Sequence, residues 1–310
     1  MNTKQKKKFK LFKKLSHLIV FIAVYIFVLI TRILNHKQTV ELGIFIGYFI
    51  YYTSKKRRKI TYDNLRTAFP EQSEDWINTT SKKSFQNLGI TFAEMFKISS
   101  LSEPEIRSLV KYRDIDEIDR VHKQGNGIVI ISGHFGNWEL MAYSFGIYST
   151  IPVSIVVKQQ SNRLLNEHLN KMRVNSGNKV VSMHKAAIEL IKAIRNNEAI
   201  AFLADQSATN DKDLFVNFFN QPAATYKAPA QIALKFRAPI IFSGCIRQPD
   251  NTYLIEHNEL DYSDIENTPE GIKELTQRHV TALENLIRKY PDQWVWAHRR
   301  WKHKPKTEEN

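Results

Sequence analysis

Between Gly127 and Lys289, short β-branched runs alternate with longer stretches whose apolar positions recur every three or four residues. The strand-like runs are "GIVIIS", "PVSIVVK", "KVVSM", "AIAFLADQ" and "APIIFSGCIR"; between them lie "WELMAYSFGIYS", "RLLNEHLNKMRVNSG", "KAAIELIKAIRNNE" and "KAPAQIALKFR", which read as helices. Strand and helix taken in turn predict an α/β domain over 127–304, with helices covering a largely parallel sheet. The segment after "LADQ" reads as a loop, and "YLIEHNEL" and a long helix from about Pro269 to Lys289 complete the domain. Upstream, 61–126 reads as packing helices: one through "YDNLRTAFPE", broken at Pro70, and a second through "WINTTSKKSFQNLGITFAEMFKI". No internal repeat interrupts this order.

Residues 1–60 follow a different pattern. The first 14 hold seven lysines and no acid, and an apolar segment from Leu15 to Leu34 follows directly. Its uninterrupted core, Leu18 to Ile30, is 13 residues, short of the ~20 that a spanning helix needs; Leu15 to Leu34 reaches that length if His17 and Arg32 lie near the ends. Spanning and re-entrant placements both remain open. A cleaved secretory signal fits poorly, because no small-residue cleavage motif follows and "TVELGIFIGYFIYY" is apolar again. Basic flanks on both sides, including Lys55 to Lys59, predict that a re-entrant or interfacial segment leaves the globular body on the cytoplasmic face. Residues 305–310 read as a disordered tail.

Composition adds two constraints. With 45 Lys and Arg against 31 Asp and Glu, the net charge of +14 favours acidic partners such as an anionic bilayer, a phosphorylated lipid, an acidic protein or nucleic acid. A single cysteine, Cys245, excludes an internal disulfide and any cysteine metal cluster within the chain. There is no G-x-S-x-G elbow and no glycine-rich phosphate loop, and no nucleic-acid motif is recognisable. No cofactor is expected.

Candidate chemistry gathers at the ends of two predicted strands, "SGHFGNWE" and "LADQ", where open α/β sheets bind their ligands. His134 and Glu139 are five apart, about 140 degrees around a helix, which suits a metal pair poorly. As an acid-base pair the spacing works if His134 lies in the turn before the helix, freed by Gly133 and Gly136, with Glu139 folded back to fix the imidazole tautomer. The residues alone equally allow a surface histidine beside a glutamate that complements the helix dipole.

The chain resembles the late lipid A biosynthesis acyltransferases (lauroyl and myristoyl transferases), relatives of the lysophospholipid acyltransferases. The resemblance rests on elements in the same order: the basic, apolar N-terminus, "NLRTAFPE", "GHFGNWE", "SNRLLNEHLNKMR", "FLADQ" followed by "FVNFFNQPAATYKAPAQIALKFRAPIIF", and "YPDQWVWAHRRWKHKP". It implies a glycerolipid-acyltransferase-like fold and a membrane-bound O-acyltransferase of the cell inner membrane. The donor is then an acyl carrier protein, which is acidic, and the acceptor an anionic, phosphorylated lipid A precursor. His134 matches the general base and Glu139 its orienting partner, with no covalent enzyme intermediate. Arg173 and Asp205 match residues close to that pair; Arg173 or backbone N–H groups near Gly133 would stabilise the oxyanion. Arg299 and Arg300 match charges suited to headgroup phosphates or to positioning the C-terminus.

Two departures bear on the substrate. The segment after Asp205 has a polar first half, in which Phe215, Phe218 and Phe219 either line an acyl-chain cleft or dock the loop, and "VKQQSN" replaces a more arginine-rich element. Of the tryptophans, Trp294 and Trp296 are expected to pack in the core. A lysophospholipid, aminolipid or mannosylated lipid is the alternative acceptor, and a basic membrane-tethered binding protein without catalysis is the rival from another class.

Overall fold

The computed structural model describes residues 3–159, 161–183, 186–208 and 214–305. The tail expected at 305–310 therefore lies outside the described residues from 306 onward. Four helices open the chain: α1 (Thr3–Ile33), α2 (His36–Thr53), α3 (Lys55–Ala68) and α4 (Glu74–Lys97). Each boundary has a local cause. Asn35 caps α2 in a capping box with Gln38, α3 stops two residues before Pro70, and Ser73 accepts from the Trp76 N–H to start α4. α5 (Glu103–Leu109) then leads into β1 (Val110–Tyr112), and α6 (Asp116–His122) into β2 (Ile128–Ser132).

From β2 the expected alternation runs as α7 (Trp138–Tyr148), β3 (Val153–Val157), α8 (Arg163–Val174), β4 (Lys179–Ser182), α9 (Ala186–Arg195) and β5 (Ala199–Leu203). The segment read as a loop instead contains an antiparallel hairpin, β6 (Leu214–Phe218) and β7 (Gln221–Thr225), turned by Phe219 and Asn220 in the left-handed region. The chain closes with α10 (Ala228–Phe236), β8 (Ile240–Arg247), β9 (Tyr253–Leu260) and α11 (Pro269–Lys289).

Seven strands form one sheet in the order β1-β9-β8-β2-β5-β3-β4. All neighbours are parallel except β8 and β9, so the sheet is largely parallel as expected, with β1 and β9 reversed at one edge. β2 and β8 are buried at every position, the signature of central strands covered on both faces. The chain leaves β2 towards β3 on one side and returns through α10 to β8 on the other. β2 is thus a topological switch point, and its carboxyl end is where a crevice is expected.

The N-terminal helices are attached to this body at defined points. α1 carries an apolar segment, Leu15–Ile33, of 19 residues, long and apolar enough to cross a membrane; at 1.5 Å per residue it spans about 28 Å. Leu18, Ile19, Ile22, Tyr25, Ile26, Leu29 and Ile30 are exposed, whereas Val28 and Thr31 are buried. α2 lies tightly on α4: a Cβ on Gly43, Gly47 or Gly89 would come within 2.3 Å of backbone atoms of the facing helix. α4 also holds the end of α1, because the buried Lys97 ammonium donates to the carbonyls of Thr31 (3.1 Å) and Leu34 (2.5 Å).

Candidate active site

β2 and β5 are adjacent and in register, with Ser132 opposite Leu203 and the Ala204 N–H donating to the Ser132 carbonyl at 3.0 Å. One residue beyond that last ladder bond on one strand, and two on the other, stand Asp205 and His134. Their proximity is therefore a consequence of sheet register. The Asp205 carboxylate lies 2.7 Å from His134 Nδ1 through Oδ1, and its Oδ2 accepts from the His134 backbone N–H and the Trp294 indole, each at 2.9 Å.

These bonds set the chemistry of the imidazole. With Asp205 accepting at Nδ1, the proton sits there and Nε2 carries the lone pair. Burial alone would push the His134 pKa down; the Asp205 charge and hydrogen bond, helped by Glu139, outweigh it, so the imidazole is more basic than usual. Burial likewise opposes the charged form of Asp205, but His134 and the donors of His134 and Trp294 hold its carboxyl below the usual range. The ring packs edge-on against Trp138 at 5.0 Å between centroids, and its side chain keeps 22% exposure. The Gln206 amide nitrogen lies 3.4 Å from Nε2.

The expected partnership of His134 with Glu139 takes a different form. Asn137 caps α7 through the Leu140 N–H, which places Glu139 on the first helical turn, buried. There its carboxylate meets Arg173, near the end of α8, in a two-pronged pair: Nε to Oε2 at 3.0 Å and Nη2 to Oε1 at 2.6 Å. Glu139 thus acts on the imidazole only through its charge, and the hydrogen-bonding carboxylate is Asp205. Gly136, with φ +54, is required in this turn, since a Cβ there would lie 1.8 Å from the Cys245 carbonyl oxygen. A Cβ on Gly133 would press on Leu283 at 2.9 Å and on Asp205 at 3.4 Å.

A strap after α11, residues 291–301, closes over this turn. Phe135 bridges Trp294, and the Val295 N–H donates to the His134 carbonyl at 3.1 Å. Trp294 and Trp296 are buried, as expected, in a cluster with Phe69, Phe218 and Phe219. Phe218 and Phe219 therefore dock the hairpin, while Phe215 is only partly buried. Arg300 does not face a headgroup: it is 1% exposed and donates to the Ala224 carbonyl and Thr225 Oγ1 of β7, while Arg299 is exposed.

Sequence reasoning passed over a buried polar cluster beneath the turn. Glu94 of α4 accepts from the Asn137 amide at 2.8 Å and the Tyr253 hydroxyl at 2.5 Å, with Arg247 Nη1 at 3.5 Å. Thr91, one turn earlier, donates to the Gly136 carbonyl at 2.8 Å. The available signal was an acid four residues after Ile90, on the apolar face of α4, since buried carboxylates are rare unless paired. Among the described residues no group of three or more His, Cys, Asp or Glu is placed to hold a metal ion.

Known proteins are similar to this chain over most of its length. Residues 5–303 match the family described as bacterial lipid A biosynthesis acyltransferase. The lipid A biosynthesis lauroyltransferase of Escherichia coli K12 is 27% identical over 272 residues, covering 86% of this chain and 85% of that protein. The palmitoleoyltransferase of the same organism is 22% identical, covering 85% of both. A phosphatidylinositol mannoside acyltransferase of Mycolicibacterium smegmatis is 22% identical over 77% of both chains.

Proposed function

The chain belongs to the bacterial lipid A biosynthesis acyltransferase family and is an acyltransferase, and from that premise we propose that it moves a fatty acyl chain from an acyl carrier protein to a hydroxyl of a lipid A precursor. His134 Nε2 takes the hydroxyl proton as the oxygen attacks the thioester carbonyl carbon. The tetrahedral intermediate collapses with cleavage of the carbon–sulfur bond, and the imidazolium returns the proton to the leaving thiolate. No enzyme nucleophile takes part. Asp205 holds the tautomer and stabilises the imidazolium; Glu139 and Arg173 brace each other at the edge of the site. Because Arg173 Nε and Nη2 are committed to Glu139, the oxyanion donors in this reading are its remaining Nη1 hydrogens and backbone N–H groups near Gly133.

The observation that carries the reading is the 2.7 Å contact between His134 Nδ1 and Asp205, in a side chain that keeps 22% exposure. The apolar segment of α1 supports membrane attachment, and the basic flanks at residues 4–14 and 55–59 support a catalytic body on the cytoplasmic face of the inner membrane. The acidic carrier and the phosphorylated acceptor both suit a chain of net charge +14. The mannoside-transferring relative favours a second reading, in which the same chemistry serves a mannosylated lipid.

Purified protein supplied with radiolabelled acyl carrier protein and lipid A precursor should yield labelled glycolipid. His134→Ala and Asp205→Ala should each reduce that transfer by about two orders of magnitude or more, with the fold and membrane association retained. Near-normal turnover in either variant would refute the mechanism; label appearing only on a mannosylated lipid would select the second acceptor.

A further inference from the structure

Three cationic or imidazole residues meet at the strap beside the turn of His134, with Arg57 reaching it from α3 and His298 and Arg299 belonging to it, and none serves the reaction described above. Arg57, in the first turn of α3, donates through Nη1 to the Ala297 carbonyl at 2.8 Å, and its side chain is otherwise exposed. Asn64, two turns later, donates to the carbonyls of Trp296 (2.7 Å) and His298 (2.6 Å), so α3 grips three consecutive strap residues. The same strap is bonded to the His134 carbonyl through Val295. Val295 and Ala297 are two residues apart, at most about 7 Å, so the Arg57 guanidinium and the catalytic turn are neighbours.

The chemistry of the three groups is complementary. His298 Nε2 accepts from the Ser207 N–H at 3.4 Å, which leaves the proton on Nδ1, a donor without a hydrogen-bond partner among the described residues. Burial, with the charges of His134, Arg300 and Arg57 beyond it, keeps this imidazole neutral at neutral pH against the pull of Asp205. Arg299 is exposed next to it. Several other surface arginines are neutralised, since Arg66, Arg107, Arg120, Arg163, Arg278 and Arg288 each meet a carboxylate, while exposed Arg32, Arg195 and Arg237 lie away from this strap in the chain. Among the described residues no carboxylate pairs with Arg57, Arg299 or the buried Arg300. An unpaired set of two guanidinium forks and one neutral N–H donor suits a phosphate monoester, which offers several acceptor oxygens and two negative charges.

We propose that Arg57, Arg299 and His298 bind a phosphate of the acceptor headgroup and thereby set which hydroxyl reaches His134. The site deepens the acceptor assignment made above and rests on that acceptor being phosphorylated. Arg57 comes from the basic run Lys55 to Lys59, so one residue of a segment suited to anionic membranes is here drawn into substrate selection.

The test uses the full chain in detergent micelles, with acyl carrier protein thioester as donor. Two acceptors are compared: the phosphorylated lipid A precursor and the same lipid after phosphatase treatment. Arg57→Gln and Arg299→Gln should each raise the KM for the phosphorylated lipid about tenfold, leaving kcat within about twofold and the donor KM unchanged. Arg57→Lys, which keeps the charge and loses the fork, should fall between. On the phosphatase-treated lipid all proteins should perform alike. An unchanged KM, an equal rise for both lipids, or a rise in the donor KM instead overturns the site. Weaker flotation on phosphatidylglycerol vesicles without a KM change does the same and assigns the cations to the bilayer. If the unaltered protein transfers nothing to the precursor, the acceptor assignment fails on its own; calorimetric binding of the phosphorylated lipid to the unaltered protein and the double variant then decides the site independently.

Discussion

At the scale of single residues, the His134 imidazole owes its basicity to a carboxylate 71 positions away in the chain. The sign of the pH dependence follows. His134 must be neutral to accept a proton, and Asp205 raises its pKa, so kcat/KM should climb with pH on a limb centred above the ordinary histidine value of about 6.5. Asp205→Asn removes the larger raising charge and leaves burial, which lowers the pKa, opposed by Glu139 alone. The limb should move to lower pH while the maximum rate falls by about two orders of magnitude or more, because the tautomer is no longer enforced. A profile of kcat/KM from pH 5 to 9 checks both, and a limb that stays in place in the variant would remove Asp205 from this role. As candidates, His134 and Glu139 were legible in the residues themselves, and Arg173 and Asp205 through the resemblance alone. Their pairing was not, because nothing local to "GHFGNWE" reveals that β5 lies beside β2 while Arg173 arrives on α8.

At the scale of elements, strand and helix runs were legible because burial on both faces leaves continuous β-branched segments and one-sided burial leaves a 3.6-residue period. Direction was not. β9 runs against β8 because only Gln248 to Thr252 join them, with Asn251 in the left-handed region, and a connection that short forces a hairpin. β6 and β7 escaped notice since phenylalanines followed by prolines and alanines carry no alternation, and what holds the hairpin is its docking on Trp294 and Trp296. The crossing of α2 on α4 is the element contact most sensitive to a single methyl. Gly89→Ala would set a Cβ 2.2 Å from the Gly43 carbonyl oxygen. Separating the helices should cost about 1–3 kcal/mol and lower the melting temperature in detergent, whereas Gly125→Ala, with nothing within 4 Å, should lose only what its φ of +82 imposes.

For the whole molecule, charge and apolar surface call for different behaviour towards a membrane. Attraction between the +14 chain and anionic lipid is screened by salt; burial of the exposed apolar side chains of α1, with Phe45, Phe49 and Tyr52 of α2, is not. Protein bound to vesicles should therefore remain bound in 1 M salt, and release under those conditions would show that charge alone holds it. The basic, apolar start was plain in the sequence. How it is joined to the catalytic body was not, because Lys97, buried at the end of α4, reads as an ordinary helix-terminal lysine until its carbonyl partners are seen.

The strap has a consequence in time. Residues that complete the setting of His134, among them Trp294 on Asp205 and Val295 on the His134 carbonyl, leave the ribosome after every strand of the sheet, whereas the apolar helix leaves it before any. During synthesis the chain thus has its means of reaching the bilayer long before the surroundings of His134 are complete. A nascent or prematurely terminated chain lacking residues 291–301 would reach the membrane without the groups that fix the turn of His134.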